Sequence, residues 1–282
     1  LFRRDLGDFR VTPIAGTDGA YYPFFSPDGH WIGYFVGSEL RKVPIEGGAP
    51  VTLALLAESV GADWGPDDRI LVAGREGRLL GWVPASGGPI ELVPDPMRMG
   101  RTFPSLLPGG RYALVCTFNQ GISLLAVVDL RTGRVDALTT DGPVAADSAD
   151  PATLIPSTDA VYVPTGYVAF SDLAGLQRIQ FDPVTRRVGS RVGDLVAGLA
   201  KGGYGSQYTV GADGTLVYAP GEDADRGAFV WVSRDGALDS LGFAAQSYGT
   251  FALSPDRHRL AALVNAPAGP PELWVYDLER RT

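Results

Sequence analysis

Apolar and polar positions along this chain fall into short runs with no helical period. Runs of three to seven residues, rich in β-branched and aromatic types, alternate with clusters of Gly, Pro, Asp and Ser. They are His30-Trp-Ile-Gly-Tyr-Phe35, Ile70-Leu-Val-Ala73, Tyr112 to Phe118, Tyr167-Val-Ala-Phe170, Leu216-Val-Tyr218 and Leu260-Ala-Ala-Leu-Val264. Such runs are too short for helices and predict half-buried strands. Each follows a tight turn: Ser26-Pro-Asp-Gly29, Gly65-Pro-Asp-Asp68, Leu107-Pro-Gly-Gly110, Val163-Pro-Thr-Gly166, Gly211-Ala-Asp-Gly214 and Ser254-Pro-Asp-Arg257. Pro presets φ at the first corner, Asp bonds back to the local backbone, and Gly accepts a positive φ at the exit. Asp68 is tolerable at that exit, whereas Arg257 suggests a different turn type.

The second turn residues stand at positions 27, 66, 108, 164, 212 and 255, spaced by 39, 42, 56, 48 and 43 residues. A four-stranded propeller blade takes about 40–45 residues. A third strand follows in each unit, as in Glu39 to Val43 or Leu79 to Val83, and a more polar fourth strand follows in several, as in Val51-Thr-Leu53. The long third interval is filled by Thr140 to Ser157, expected to be a surface loop. The pattern predicts an all-β fold, a six-bladed β-propeller of four-stranded antiparallel blades, in a single domain over 1–282. Blades are expected to begin near 20, 60, 101, 159, 205 and 248. The last unit supplies three strands, so Phe9-Arg-Val-Thr-Pro-Ile14 is expected to provide the fourth. On that reading 1–14 is a ring-closing segment, with the ring closed by the N-terminal strand and an open sheet edge covered. Leu1-Phe-Arg-Arg-Asp-Leu6 is similar to Leu273-Trp-Val-Tyr-Asp-Leu278, which reads as a strand left over from an earlier blade of a longer array.

Composition narrows the partners. The 282 residues are 45% hydrophobic and 20% charged, enough for a sizeable core, and the net charge is −8. Such a surface repels phosphate backbones, so no nucleic-acid partner is expected. Cys116, the one cysteine, lies in an apolar run and is expected to be buried as a small hydrophobe. The most apolar stretch, Ile122 to Val128, is far short of the roughly 20 residues of a membrane span. The chain opens with Leu1 and shows no recognisable signal peptide, which reads as a piece of a longer polypeptide.

The units Phe24-Phe-Ser-Pro-Asp-Gly-His-Trp-Ile-Gly33, Ala62-Asp-Trp-Gly-Pro-Asp-Asp68 and Glu272-Leu-Trp-Val-Tyr-Asp-Leu278 resemble the Pro-Asp repeats of TolB-like propellers. Val43-Pro-Ile-Glu-Gly-Gly48 and Val83-Pro-Ala-Ser-Gly-Gly88 resemble, more narrowly, the propeller region of bacterial receptor-like serine/threonine protein kinases. The third and fourth units depart from the Pro-Asp pattern. That resemblance implies a parent with a cytoplasmic kinase domain, a membrane helix and this propeller on the periplasmic or extracellular side. Contact with a membrane would then come only through the parent chain. The kinase's glycine-rich loop, His-Arg-Asp loop and Asp-Phe-Gly are not in this sequence.

Little chemistry is visible. His30 and His258 both follow repeat turns and are expected to be turn-exposed rather than bases or ligands. Asp147, Asp150, Glu222, Asp223 and Asp225 match no calcium-loop spacing and are expected on solvated loops. No catalytic residue, metal or cofactor is therefore expected for this fragment. Aromatic residues near the starts of the inner strands are the stronger candidates: Tyr21, Tyr22, Phe103, Tyr204, Tyr208 and Tyr248. In a propeller these positions line one mouth of the central channel, where Tyr can anchor a peptide or glycan. Packing between blades is the plainer role for each. Trp64 aligns with Phe25 and is assigned to the core. Arg101 and Lys201 are placed at the same mouth, able to pair with an acidic ligand. The expected function is a non-catalytic module that binds a protein or peptide. The alternatives are a propeller-scaffold enzyme such as a lactonase or glycan lyase, and the gating propeller of a peptidase.

Overall fold

The structure, a computed structural model, describes residues 1–4, 11–74, 79–119, 122–139, 142–147, 153–172, 175–196, 199, 201–202, 205–206, 208–211, 214–218, 226–227, 229–232, 238–254, 259–264 and 272–278. The chain divides into two compact units. The first comprises Leu1–Ser171, Gln177–Gly193 and Val210–Thr215; the second comprises Asp172–Leu176, Asp194–Thr209 and Leu216–Thr282.

The first unit opens with a hairpin, β1 (Phe2–Arg4) on β2 (Val11–Pro13). Sheets built from consecutive strands follow. Sheet one is β3 (Tyr21–Phe25), β4 (Trp31–Val36), β5 (Glu39–Pro44) and β6 (Val51–Leu55). Sheet two is β7 (Ser59–Trp64), β8 (Arg69–Gly74), β9 (Leu80–Pro84) and β10 (Glu91–Leu92). Sheet three has five strands: β11 (Thr102–Leu106), β12 (Tyr112–Asn119), β13 (Ile122–Asp129), β14 (Val135–Thr139) and β15 (Gly142–Ala145). Sheet four is β16 (Asp159–Val163), β17 (Tyr167–Ser171), β18 (Leu176–Asp182) and β19 (Arg187–Val196). The first strands of successive sheets, β3, β7, β11 and β16, lie side by side. Meandering sheets that share a row of first strands are successive blades of a β-propeller.

The expected turn chemistry is present at five of the six repeat turns. Gly29, Asp68, Gly110, Gly166 and Gly214 all carry a positive φ, Asp68 at 58°. Arg257 lies outside the described residues.

The strands after the first four of these turns are more buried than the expected half, whereas Leu216–Tyr218 is largely exposed. Ile70, Val72 and Val83 pack toward sheet one with Phe35, Leu40 and Leu53. Their chain neighbours Leu71, Ala73, Leu80 and Trp82 pack toward sheet three with Ala113, Val115 and Ala126. Leu114, Leu125 and Val127 face sheet four with Val168, Phe170 and Ile179. A blade flanked on both faces needs apolar residues at odd and even positions, which explains the continuous runs. At roughly 1.5–3 kcal/mol for each large side chain buried, these three layers are the main stabilising term.

Two expectations are corrected. Thr140 to Ser157 is not simply a surface loop: Gly142–Ala145 pairs with β14, and Ala146 and Ile155 are buried. The eight-residue β13 outruns β14, which pairs only with Ala126, Val127 and Val128. Leu154 to Ser157 take up the remainder, with Leu125 N–H donating to the Ile155 carbonyl and Ser157 N–H to the Ser123 carbonyl. Backbone groups left open in a packed layer are costly, so the insert is drawn in. Second, Val11–Pro13 pairs with Phe2–Arg4, where the edge of the last unit was expected. Ile14 instead packs beside Ile32, Tyr34 and Val43 on sheet one.

In the second unit Lys201–Gly202 pairs with Gly205–Ser206, and Val230–Val232 with Leu238–Ser240. A four-stranded sheet there has the order Arg226–Gly227, Gln246–Leu253, Arg259–Val264, Glu272–Asp277. Tyr208–Val210 forms a further ladder with Leu216–Tyr218. The fifth expected blade is thus represented, among the described residues, by two-stranded ladders.

Candidate functional site

A one-residue bulge recurs in the first strands. Tyr21 and Phe24 pair with Phe35 and Gly33; Ser59 and Ala62 pair with Gly74 and Val72; Thr102 and Ser105 pair with Cys116 and Leu114. Each time three steps on the inner strand match two on its partner, so the extra residue turns the strand and re-aims its side chains. The second unit repeats the device at Tyr248 and Phe251, opposite Val264 and Ala262.

In blades one and three the bulge holds an aromatic residue in the left-handed region, Tyr22 at φ 47° and Phe103 at φ 50°, each followed by Pro. Glu58, just before β7, is also left-handed at φ 45°. Bulky residues rarely adopt this conformation, and each instance costs about 1–3 kcal/mol. Three of the six non-glycine residues with positive φ among those described therefore gather at the starts of three adjacent strands.

The side chains of Tyr21, Tyr22 and Phe103 form one half-buried group, with Glu58 exposed. The Tyr21 and Tyr22 ring centroids are 5.4 Å apart, and those of Tyr22 and Phe103 5.8 Å apart, both edge-to-face. Such pairs contribute about 0.5–1.5 kcal/mol beyond burial and give rigid polar-tipped faces. Gly61, at φ 106°, makes room for Phe103: a Cβ there would sit 3.2 Å from the Phe103 Cα. Tyr21 OH donates to the Gly37 carbonyl at 2.8 Å. Burial holds its phenol above the ordinary value, with the Ser59 hydroxyl opposing and the Glu58 carboxylate reinforcing.

Below the aromatics, Asp63 ties β7 to β11 by accepting the Leu106 N–H on Oδ2 at 2.7 Å. Desolvation raises its carboxyl above the usual range, against backbone N–H bonds from Leu106 and Trp64.

Of the sequence candidates, Tyr21, Tyr22 and Phe103 come together here. Arg101 does not join them. Its side chain is wholly buried, with Nη1 donating to the Pro94 carbonyl at 2.8 Å and Nη2 3.6 Å from Asp95 Oδ2. The 94–100 connection covers it, so this guanidinium serves the chain itself. Lys201, Tyr208 and Tyr248 lie on strands of the second unit's ladders, Tyr208 half-buried, and Tyr204 lies outside the described residues. Trp64 is buried between sheets one and two, and Cys116 is fully buried, its thiol pushed up to about 12. His30 is exposed at its turn, and Asp147 is exposed; His258, Asp150, Glu222, Asp223 and Asp225 lie outside the described residues. Glu58, Gly61 and Asp63 were not anticipated. The repeated aromatic-Pro pair, Tyr22-Pro23 and Phe103-Pro104, is a sequence signal that could have marked this cluster.

No protein-family model matches the chain, and none of the curated proteins matches it. Solved structures resemble it at the level of fold. A Bacteroides uniformis protein assigned as a 6-phosphogluconolactonase is 16% identical, with TM-score 0.49 over 98% of this chain and 86% of that one. An Agrobacterium tumefaciens protein assigned as TolB is 14% identical, with TM-score 0.49 over 95% and 83%. The β-propeller domain of Myceliophteria thermophila Swd1 is 14% identical, with TM-score 0.47 over 94% and 84%. At these values the likenesses carry no argument about function, and the description of the fold rests on the strand order of this chain.

Proposed function

We propose that this chain is a non-catalytic recognition propeller that engages a protein or peptide through the aromatic group at the starts of its first strands. The observation that carries the reading is the strain. Tyr22, Glu58 and Phe103 hold unfavourable backbone conformations around one half-buried aromatic face. Strain of this kind collects at ligand-contacting sites, and rigid Tyr and Phe side chains supply contact area at low entropic cost. We take the complete propeller to have six blades, with Tyr204, Tyr208, Tyr248 and Lys201 as further ligand-contacting residues. We also take the chain to be the extracytoplasmic sensory region of a larger receptor-like serine/threonine kinase. A membrane-bound native polypeptide far heavier than 29.8 kDa would support that placement, and a soluble band near that mass would remove it.

The site is tested by selecting binders from a displayed peptide library and measuring them against Tyr22→Gly/Phe103→Gly. Glycine favours the left-handed conformation, so each replacement should change stability by within about 1 kcal/mol. Selected peptides should bind the double variant at least tenfold more weakly. Unchanged affinity would remove the site assignment.

A further inference from the structure

A second site is written in a contrast between two turns. In blade three, Gly133 N–H donates to the Asp129 carbonyl at 2.7 Å; in blade four, Arg186 N–H donates to the Asp182 carbonyl at 2.7 Å. Asp129 Oδ1 accepts from Arg131 N–H and Asp182 Oδ1 from Val184 N–H, each at 2.9 Å. The two turns are the same structure, and the closing residue is left-handed in both, with φ 73° at Gly133 and 56° at Arg186. Glycine suits that position and arginine does not. Blade three has no choice, because a Cβ on Gly133 would lie 1.7 Å from the Pro94 carbonyl oxygen. Blade four has space, and fills it with a cation.

That cation reaches across the seam between the two blades. The Arg186 guanidinium lies 4.4 Å from the centre of the Tyr112 ring, which Arg111 also approaches at 5.0 Å. Arg187 crosses the same seam, its guanidinium 3.5–3.7 Å from where a Cβ of Gly142 would stand. Arg111 is answered by Asp129, at 2.9 Å. Arg186 and Arg187 form no salt bridge among the described residues, and Arg186 Nε is buried without an acceptor there. Asp182 is occupied with its own turn, held below the usual carboxylate range by Thr185 and Val184. Arg187 also lines an open cleft of about 450 Å³ with Tyr167, Gln180, Asp182, Thr185 and Gly189.

We propose that the seam between blades three and four is an oxyanion site, in which Arg186 and Arg187 take a carboxylate or phosphate group and the adjoining cleft holds the rest of the ligand. Arginine forks match both groups bidentately, and an anion here would offset the like charges gathered on Tyr112. The site is independent of the aromatic mouth, and in a chain of net charge −8 a cationic seam with no salt bridge to Arg186 or Arg187 among the described residues is conspicuous.

Calorimetric titration at low salt with inorganic phosphate and with citrate tests it. Wild type should bind at least one; citrate alone assigns a carboxylate ligand, phosphate alone a phosphate. Arg186→Gly should melt no lower than wild type, because the turn of blade three already uses glycine, and should bind at least tenfold more weakly. Arg187→Gln should weaken binding likewise, and Arg131→Gln, on the matching turn of blade three, should not. The proposal is overturned if wild type binds neither anion, if Arg186→Gly binds normally, or if Arg131→Gln loses as much as Arg186→Gly.

Discussion

The first strands of blades one and three differ from that of blade four in one residue of register. In β16 every step is matched, from Asp159 opposite Ser171 to Val163 opposite Tyr167. In β3 and β11 the bulge takes an additional residue, and that residue is a left-handed aromatic. The regular strand spends its side chains on packing: Ala160 and its partner Phe170 are buried in the layer against blade three. The bulged strands leave Tyr22 and Phe103 half-exposed and pay in backbone strain for holding them there. One scaffold therefore carries two kinds of first strand, one for stability and one for presentation.

The sharpest way to break this comparison is to truncate an aromatic on each side of it. Phe170→Ala should cost about 3–5 kcal/mol, because a ring 1% exposed leaves a cavity in a close-packed layer. Urea denaturation of that variant reads the loss directly. If Phe170→Ala unfolded as easily as Phe103→Gly, whose expected effect is within about 1 kcal/mol, the distinction between packing and presenting strands would fail. Next in size is Gly61→Val, which attacks the support of the bulge. A β-branched side chain at φ 106° is strained, and its Cβ would press on the Phe103 Cα. The expected loss is about 2–4 kcal/mol in thermal or urea unfolding. A loss below about 0.5 kcal/mol would mean that Phe103 shifts freely and is not held in place.

These differences set what was legible in the sequence. Blade repeats were readable because the turn at each hairpin needs specific residues, and Gly29, Asp68, Gly110, Gly166 and Gly214 adopt the positive φ their types suggest. Strand positions followed from apolar runs, although burial on both faces hid which side each residue takes. Tyr21, Tyr22 and Phe103 could be named from their place before a repeat turn, but neither the bulge nor its strain has a composition signature. Arg101 misled because a position at a strand start says nothing of a covering connection such as 94–100. Glu58 and Asp63 were missed for a related reason: a lone carboxylate at or near a strand looks the same whether it faces water, as Glu58 does, or clamps the next blade, as Asp63 does.

Asp63 gives the smallest and most specific prediction. Its carboxyl is raised above the usual range by desolvation, so the folded protein holds that proton more tightly than the unfolded chain does. The sign follows. The contribution of Asp63 to stability is fully present below its unfolded pKa of about 3.9 and is lost as pH rises through the folded value, where a buried carboxylate must be carried. Asp63→Asn removes the charge while its side-chain carbonyl still accepts the Leu106 N–H. Between pH 4 and pH 7 the variant should gain stability relative to wild type, and the gain should grow as pH rises. Urea unfolding at several pH values measures this. Parallel curves would show that Asp63 ionises as it does in water, and that the tie between β7 and β11 rests on the hydrogen bond alone.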